Sequence, residues 1–62
     1  MAITAIQKEL IEQLNARGIE EEDITAIMAL IISSQVEEEM LDWIIKNPKA
    51  TNREILMKAM VL

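Results

Sequence analysis

The chain has 62 residues, a net charge of −5 and an apolar content of 52%, which suits one small domain with one hydrophobic core. It contains no cysteine and no histidine, which excludes disulfides, thiolate metal sites and the commonest general base of enzymes. Because one glycine and one proline are fewer turn residues than strand-rich folds need, the sequence predicts an all-α fold: a single helical domain over residues 1–62, built as a small bundle of three to four short helices.

The first helix is predicted over residues 5–17. Thr4, followed three residues later by Gln7, has the spacing of a capping box. Gly18 suits the left-handed position that ends a helix, and Ile19 can then fold back onto the helix that precedes it. The glycine therefore marks the turn to the second helix.

The second helix is predicted over residues 21–33. Four acidic residues, 20–23, stand at its start, where they interact favourably with the helix dipole; a site for a metal or a basic partner is the alternative interpretation. Residues 26–32 are apolar without interruption, which indicates burial on most sides. We interpret this helix as the central one of the bundle.

The third helix is predicted over residues 35–46, with Ser34 and Glu37 spaced as a second capping box. If it continued the second helix as one rod, the two apolar stripes would point roughly 120° apart. We therefore expect a break near Ser33-Ser34, which lets both stripes reach one core. The residue before Pro48 avoids the helical region and should end the third helix.

The last helix is predicted over residues 52–62, with Thr51 and Glu54 as a third capping box. It is apolar nearly all round, so we expect it to dock on the bundle or on another chain. The residues predicted to form the core share helical spacing within these segments: Ile6, Leu10, Leu14, Ile24, Ile27, Ile31, Val36, Met40, Ile44 and Ile55.

No catalytic constellation is visible, because the serines have no histidine to activate them. The sequence predicts a protein that is not an enzyme and has no metal, cofactor or small-molecule ligand. Residues 1–42 carry a net charge of −8 and residues 43–62 a net charge of +3; the acidic part disfavours nucleic-acid binding, and the basic part lacks interleaved aromatic residues. With no export signal and no apolar run near the roughly 20 residues of a membrane span, we expect a cytoplasmic protein without membrane contact.

Residues 6–45 carry a pattern of short motifs, namely Arg17-Gly18-Ile19, Ala26-Ile27-Met28-Ala29-Leu30, Gln35-Val36-Glu37 and Trp43-Ile44-Ile45. In this order they resemble the ubiquitin-associated (UBA) three-helix module, although the stretch from the Gly18 loop to Trp43 is about two residues longer than in that family. The resemblance implies a compact arrangement of the first three helices, with binding through the Gly18 loop and the end of the third helix. Arg17 and Ile19 replace the apolar and aromatic loop residues of that family, and residues 48–62 have no counterpart in it.

The chain has more apolar residues than the interior of so small a bundle can bury. This surplus predicts a protein–protein interaction module that associates with itself as a two-fold homo-oligomer. The last helix and the flanks of the second would supply the interface. One alternative is a monomeric UBA-like adaptor that binds another protein; another is an acidic decoy that blocks a nucleic-acid-binding protein. Together these hypotheses nominate nine protein-binding residues: Arg17, Gly18, Ile19, Leu30, Ile32, Trp43, Met57, Met60 and Val61.

Overall fold

Four α-helices make up residues 3–62, the part of the chain that the computed structural model describes. They are α1 (Ala5–Ala16), α2 (Glu21–Ser34), α3 (Glu37–Lys46) and α4 (Asn52–Val61). No strand occurs among these residues, so the predicted all-α bundle is confirmed and its helices number four. None of the helices in this part of the chain has the length and apolarity needed to cross a membrane.

A capping box and a left-handed glycine set the two ends of α1. The Thr4 hydroxyl accepts a hydrogen bond from the Gln7 N–H at 3.1 Å, and the Gln7 side chain accepts one from the Thr4 N–H at 3.3 Å. Gly18 has φ +76°, and the N–H groups of Gly18 and Ile19 donate to carbonyls in the last turn of α1. These two bonds form a Schellman motif, which confirms the predicted role of Gly18.

The break between α2 and α3 is confirmed, but the groups that form it differ from those predicted. Gln35 is left-handed, with φ 57° and ψ 41°, and the N–H groups of Gln35 and Val36 donate to carbonyls in the last turn of α2. Ser34 belongs to α2, and α3 begins at Glu37 without a side-chain cap. The predicted Ser34–Glu37 capping box was therefore wrong, because the buried Val36 closes α2 in a second Schellman motif instead.

Asn47 and Pro48 separate α3 from α4, as the sequence predicts. Asn47 has φ −126° and ψ 66°, outside the helical region that a residue before proline avoids. Its side-chain amide donates to the Trp43 carbonyl at 2.7 Å, which satisfies one of the free carbonyls at the end of α3. α4 then begins with the predicted capping box, in which Thr51 and Glu54 exchange bonds of 3.1 and 3.2 Å.

Helices α2 and α3 form the centre of the bundle, and α1 and α4 flank them. Each central helix contacts all three others, whereas no Cα atom of α1 comes within 8 Å of α4. α2 is thus central, as predicted, and shares that position with α3. This arrangement leaves one whole side of α4 without a neighbour from the described residues.

One hydrophobic core joins all four helices. Nine of the ten predicted core residues are buried, and the tenth, Ile6, is partly buried at the edge of the core. Met28 and Ala59 are buried in addition. Met28 belongs to the same apolar stripe of α2 as Ile24, Ile27 and Ile31, and it is buried with them. The buried residues are Leu10, Leu14, Ile24, Ile27, Met28, Ile31, Val36, Met40, Ile44, Ile55 and Ala59.

Candidate protein-binding surface

The exposed large apolar side chains of the described residues concentrate on α4 and the residue after it. Met57, Met60 and Val61 are 58%, 67% and 77% exposed, and Leu62 is 42% exposed. The opposite side of α4 is buried against α2 and α3. The helix thus uses only its inner side in the fold, and the side chains of Met57, Met60 and Val61 form an apolar surface that we call the α4 face.

An open depression of about 310 Å³ lies on one flank of the α4 face, between α3 and α4. Trp43 of α3 is partly buried against the core and forms one wall. Met57 and Val61 form the other wall, and Glu54 and Lys58 border it. The only aromatic ring of the chain therefore adjoins the α4 face, and its amphipathic ring is of the type enriched at protein interfaces.

A smaller pocket of about 200 Å³ lies on the other flank of α4, where this helix packs against α2. Its lining combines apolar side chains with polar groups at exposed positions: Asp23, Ala26, Ile27, Asn52, Arg53 and Leu56. The Asn52 amide donates to the Asp23 carboxylate at 3.2 Å. Neither Asp23 nor Arg53 forms an ion pair within residues 3–62. An acid on α2 and a base on α4 thus flank an apolar pocket, which we call the α2–α4 pocket.

Leu30 and Ile32 lie on opposite flanks of α2. Leu30 follows Ala26 by one turn, on the flank that faces α4, and it packs against the core. Ile32 is two residues further on, roughly 200° round the helix, and it is 44% exposed. Of these two predicted interface residues, only Leu30 lies on the side of the α4 face.

The Arg17 guanidinium links the end of α1 to the end of α3. Its terminal nitrogens donate to three backbone carbonyls, those of Ile44, Asn47 and Ala50. The bonds to Asn47 and Ala50 are 2.9 and 3.3 Å long. Ile19 packs partly buried against the core, and Gly18 is exposed. The Gly18 loop and the end of α3 are therefore adjacent, and the guanidinium of Arg17 is engaged within the fold.

Clusters of three acidic side chains occupy the first turns of two helices. Residues 21–23 lie in the first turn of α2 and residues 37–39 in that of α3, where they interact favourably with the helix dipoles. Among residues 3–62 the single ion pair joins Asp42 to Lys46 at 3.0 Å, and both side chains are exposed. In the same residues no three carboxylates are arranged to hold a metal ion. Of residues 20–23, Glu20 is the N-cap residue and the other three lie in the first turn of α2, the position that the helix-start interpretation expects.

The structure brings some of the nominated residues together and separates others. Trp43, Met57 and Val61 line one depression, and Met60 lies beside them on α4. The Arg17–Ile19 loop forms a different surface, beside the end of α3. The α2–α4 pocket was missed, because the periodicity of one helix does not reveal which flank of another helix packs against it.

Comparisons of the chain with models of protein families, with characterised proteins and with solved structures found no match. The resemblance to the UBA module therefore stays a prediction based on the short motifs alone. What a protein binds depends on the chemistry of its surface, since a fold shared by many proteins does not determine it.

Proposed function

We propose that the protein is a small protein–protein interaction module that self-associates, with the α4 face as its binding surface. The observation that carries the proposal is the exposure of Met57, Met60 and Val61, between 58% and 77%, along one side of a helix whose other side is buried. Contact with another apolar surface removes these side chains from water, which is favourable.

The accessible surface of the chain is large enough for a second copy to be the partner that covers the α4 face. A stable interface buries about 800 Å² on each partner, roughly a fifth of the 4,411 Å² of accessible surface here. In a two-fold dimer the same patch serves both copies, so one apolar face is sufficient. Association also adds stability to a chain of this length, whose own core is small.

The experiment that tests the proposal is light scattering over a concentration series. The mass of the wild-type protein should rise toward twice the 7.1 kDa of one chain. Met60→Lys should return it to the mass of a monomer, because a charge on the α4 face disfavours burial. Ile32→Lys is the matched control: it also adds a base in the last turn of a helix, but on the far flank of α2, and should retain the wild-type mass.

A monomeric adaptor that binds another protein is the second candidate, favoured by the open depression beside Trp43. An adaptor would stay at 7.1 kDa at every concentration, and soluble quenchers would reduce Trp43 fluorescence equally at high and low concentration. A mass that rises with concentration, together with loss of association in Met60→Lys, would remove this candidate in favour of self-association.

A further inference from the structure

A strip of α4 on the flank nearest α3 combines apolar side chains with one acid and one base. It consists of Glu54, Met57, Lys58 and Val61, which line the Trp43 depression together. At about 100° per residue, these positions span roughly 100° of the helix circumference. We call these four residues the α4 strip. Met57 and Val61 also belong to the α4 face, so the apolar surface and the two charges are continuous.

The two charges of the α4 strip form no ion pair within residues 3–62, where the single ion pair joins Asp42 to Lys46. Glu54 and Lys58 are four residues apart on one helix, yet they are not paired with each other. Lys46 and Lys49 border Glu54 in a neighbouring depression, and neither is paired with its carboxylate. Both charges of the strip are thus available to a partner.

An antiparallel pair of α4 helices brings these charges together. Glu54 and Lys58 lie on either side of Leu56, each about 3 Å from it along the helix. A two-fold axis at the height of Leu56, perpendicular to the plane of the two helices, places Glu54 of each copy at the height of the other copy's Lys58. The axis keeps the α3 flanks of both copies on one side of the pair, so the opposite charges also share a flank. The attraction is made twice, whereas a parallel pair would place like charges opposite each other.

The same register brings apolar side chains together. Met57 is about 1.5 Å from Leu56 along the helix, so the two Met57 side chains meet at the axis. Met60 lies about 6 Å from the axis, and Arg53 lies about 4.5 Å from it in the opposite direction along the helix. These two residues are seven apart and share a flank, so each Met60 comes beside the hydrocarbon stem of the other copy's Arg53, which covers apolar surface. The register therefore removes the exposed methionines of the α4 face from water.

From these observations we infer that two copies pair through the α4 strip with their α4 helices antiparallel, so that Glu54 of each meets Lys58 of the other and the two Met57 side chains meet at the axis. The inference rests on the proposed self-association and specifies its geometry. The two Trp43 depressions then adjoin on one side of the pair, and the α2–α4 pockets lie on the other flank of α4.

Charge exchange between two variants tests this pairing. In a Glu54→Lys homodimer two bases face each other at both contacts, and in a Lys58→Glu homodimer two acids do. Each variant alone should associate at least about tenfold more weakly than wild type. In a mixed dimer every base faces an acid, so an equimolar mixture should recover association toward the wild-type value in sedimentation or light scattering. Lys8→Glu, at an exposed position of α1, makes the same change in net charge as Lys58→Glu and should associate like wild type.

Each outcome separates the pairing from the proposed function. A wild-type protein that stays monomeric contradicts self-association itself. A wild-type dimer whose two variants associate unchanged, or whose mixture associates no better than its components, overturns the pairing and leaves association through the α4 face intact. A parallel pair gives its own result: like charges already face each other in the wild type, so Lys58→Glu would not weaken association.

A second comparison serves if Glu54→Lys does not fold, since Glu54 belongs to the capping box of α4. Lys58→Glu is then compared with the double variant Glu54→Gln/Lys58→Glu. Glutamine also completes a capping box and carries no charge, so the acid at position 58 no longer faces another acid. The double variant should associate more tightly than Lys58→Glu alone, and equal association would overturn the pairing. Circular dichroism checks that every variant is helical.

Trp43 supplies an independent measurement on the wild-type protein. Because the two depressions adjoin at the axis, acrylamide should quench Trp43 fluorescence less as the concentration rises through the range in which the mass doubles. Quenching that stays constant over this range would place the contact on the other flank of α4 and overturn the pairing.

Discussion

Two of residues 3–62 have a left-handed backbone, and only one of them is glycine. Gly18 ends α1 with φ +76°, at no steric cost. Gln35 ends α2 with φ 57°, and its Cβ atom makes that conformation unfavourable by about 1–2 kcal/mol. The strain at Gln35 is offset by the burial of Val36, which the turn directs into the core.

Substitutions at these two positions should change stability in opposite directions. Gly18→Ala should lower the free energy of unfolding by about 1–2 kcal/mol; the added Cβ meets no atom within 4 Å, so the effect comes from the backbone alone. Gln35→Gly should raise it by about 0.5–1 kcal/mol, after the entropic cost of glycine. Urea unfolding at one protein concentration measures both values, and a loss of stability in Gln35→Gly would contradict the argument.

Arg17 has a structural role that its position in a loop did not reveal. Its guanidinium donates to the carbonyls of Ile44 and Asn47 at the end of α3 and to that of Ala50 in the connection to α4. Carbonyls at the end of a helix have no partner within that helix. The carbonyls of Ile44 and Asn47 also accept backbone N–H groups, those of Asn47 and Ala50, so the guanidinium adds a second bond to each and fixes the chain that leads into α4.

Loss of this guanidinium should destabilise the whole bundle. Arg17→Met keeps an apolar stem but removes the donors, and we expect the free energy of unfolding to fall by about 1–3 kcal/mol. Lys8→Met, at an exposed position of α1, is the control and should change stability by less than about 0.5 kcal/mol. Equal effects of the two substitutions on the urea midpoint would show that the hydrogen bonds of Arg17 contribute little.

At the scale of helices, the sequence predicted which segments form helices better than it predicted which groups begin and end each helix. The Thr4 and Thr51 capping boxes were predicted correctly because a cap is a local interaction between residues three apart. The Ser34–Glu37 spacing met the same rule, yet the chain closes α2 through Gln35 and Val36 instead. That choice depends on the burial of Val36 in a core formed by distant residues, which local spacing does not encode.

The contrast between a real cap and an apparent one is measurable. Thr51→Ala removes the side-chain acceptor for the Glu54 N–H, which lies 3.2 Å away, and should lower the free energy of unfolding by about 1 kcal/mol. Ser34→Ala removes a hydroxyl that caps no helix and should change it by less than about 0.5 kcal/mol. Thermal unfolding resolves the difference, since 1 kcal/mol corresponds to roughly 4–8 °C in a domain of this size. A larger effect at Ser34 would restore the predicted capping box.

At the scale of the whole molecule, the sequence predicted more apolar residues than the core can bury, but it did not predict how the helices pack around them. Met57, Met60 and Val61 were nominated because they lie on a helix that is apolar nearly all round. Which side of that helix is buried depends on α2 and α3, so the pocket between Asp23 and Arg53 emerged only from the packing. The periodicity of the sequence thus predicts which residues form the core, whereas the position of the candidate interface depends on how the helices pack against one another.

Self-association through the α4 face should make the stability of the protein depend on its concentration. For a chain that unfolds from a dimer to two monomers, a tenfold rise in concentration adds about 1.4 kcal/mol per dimer, so the midpoint of thermal unfolding should rise by a few degrees. Ile32→Lys should keep this dependence, and Met60→Lys should lose it because its folded state is a monomer. A wild-type midpoint that stays constant over a hundredfold concentration range would contradict the coupling of folding to association.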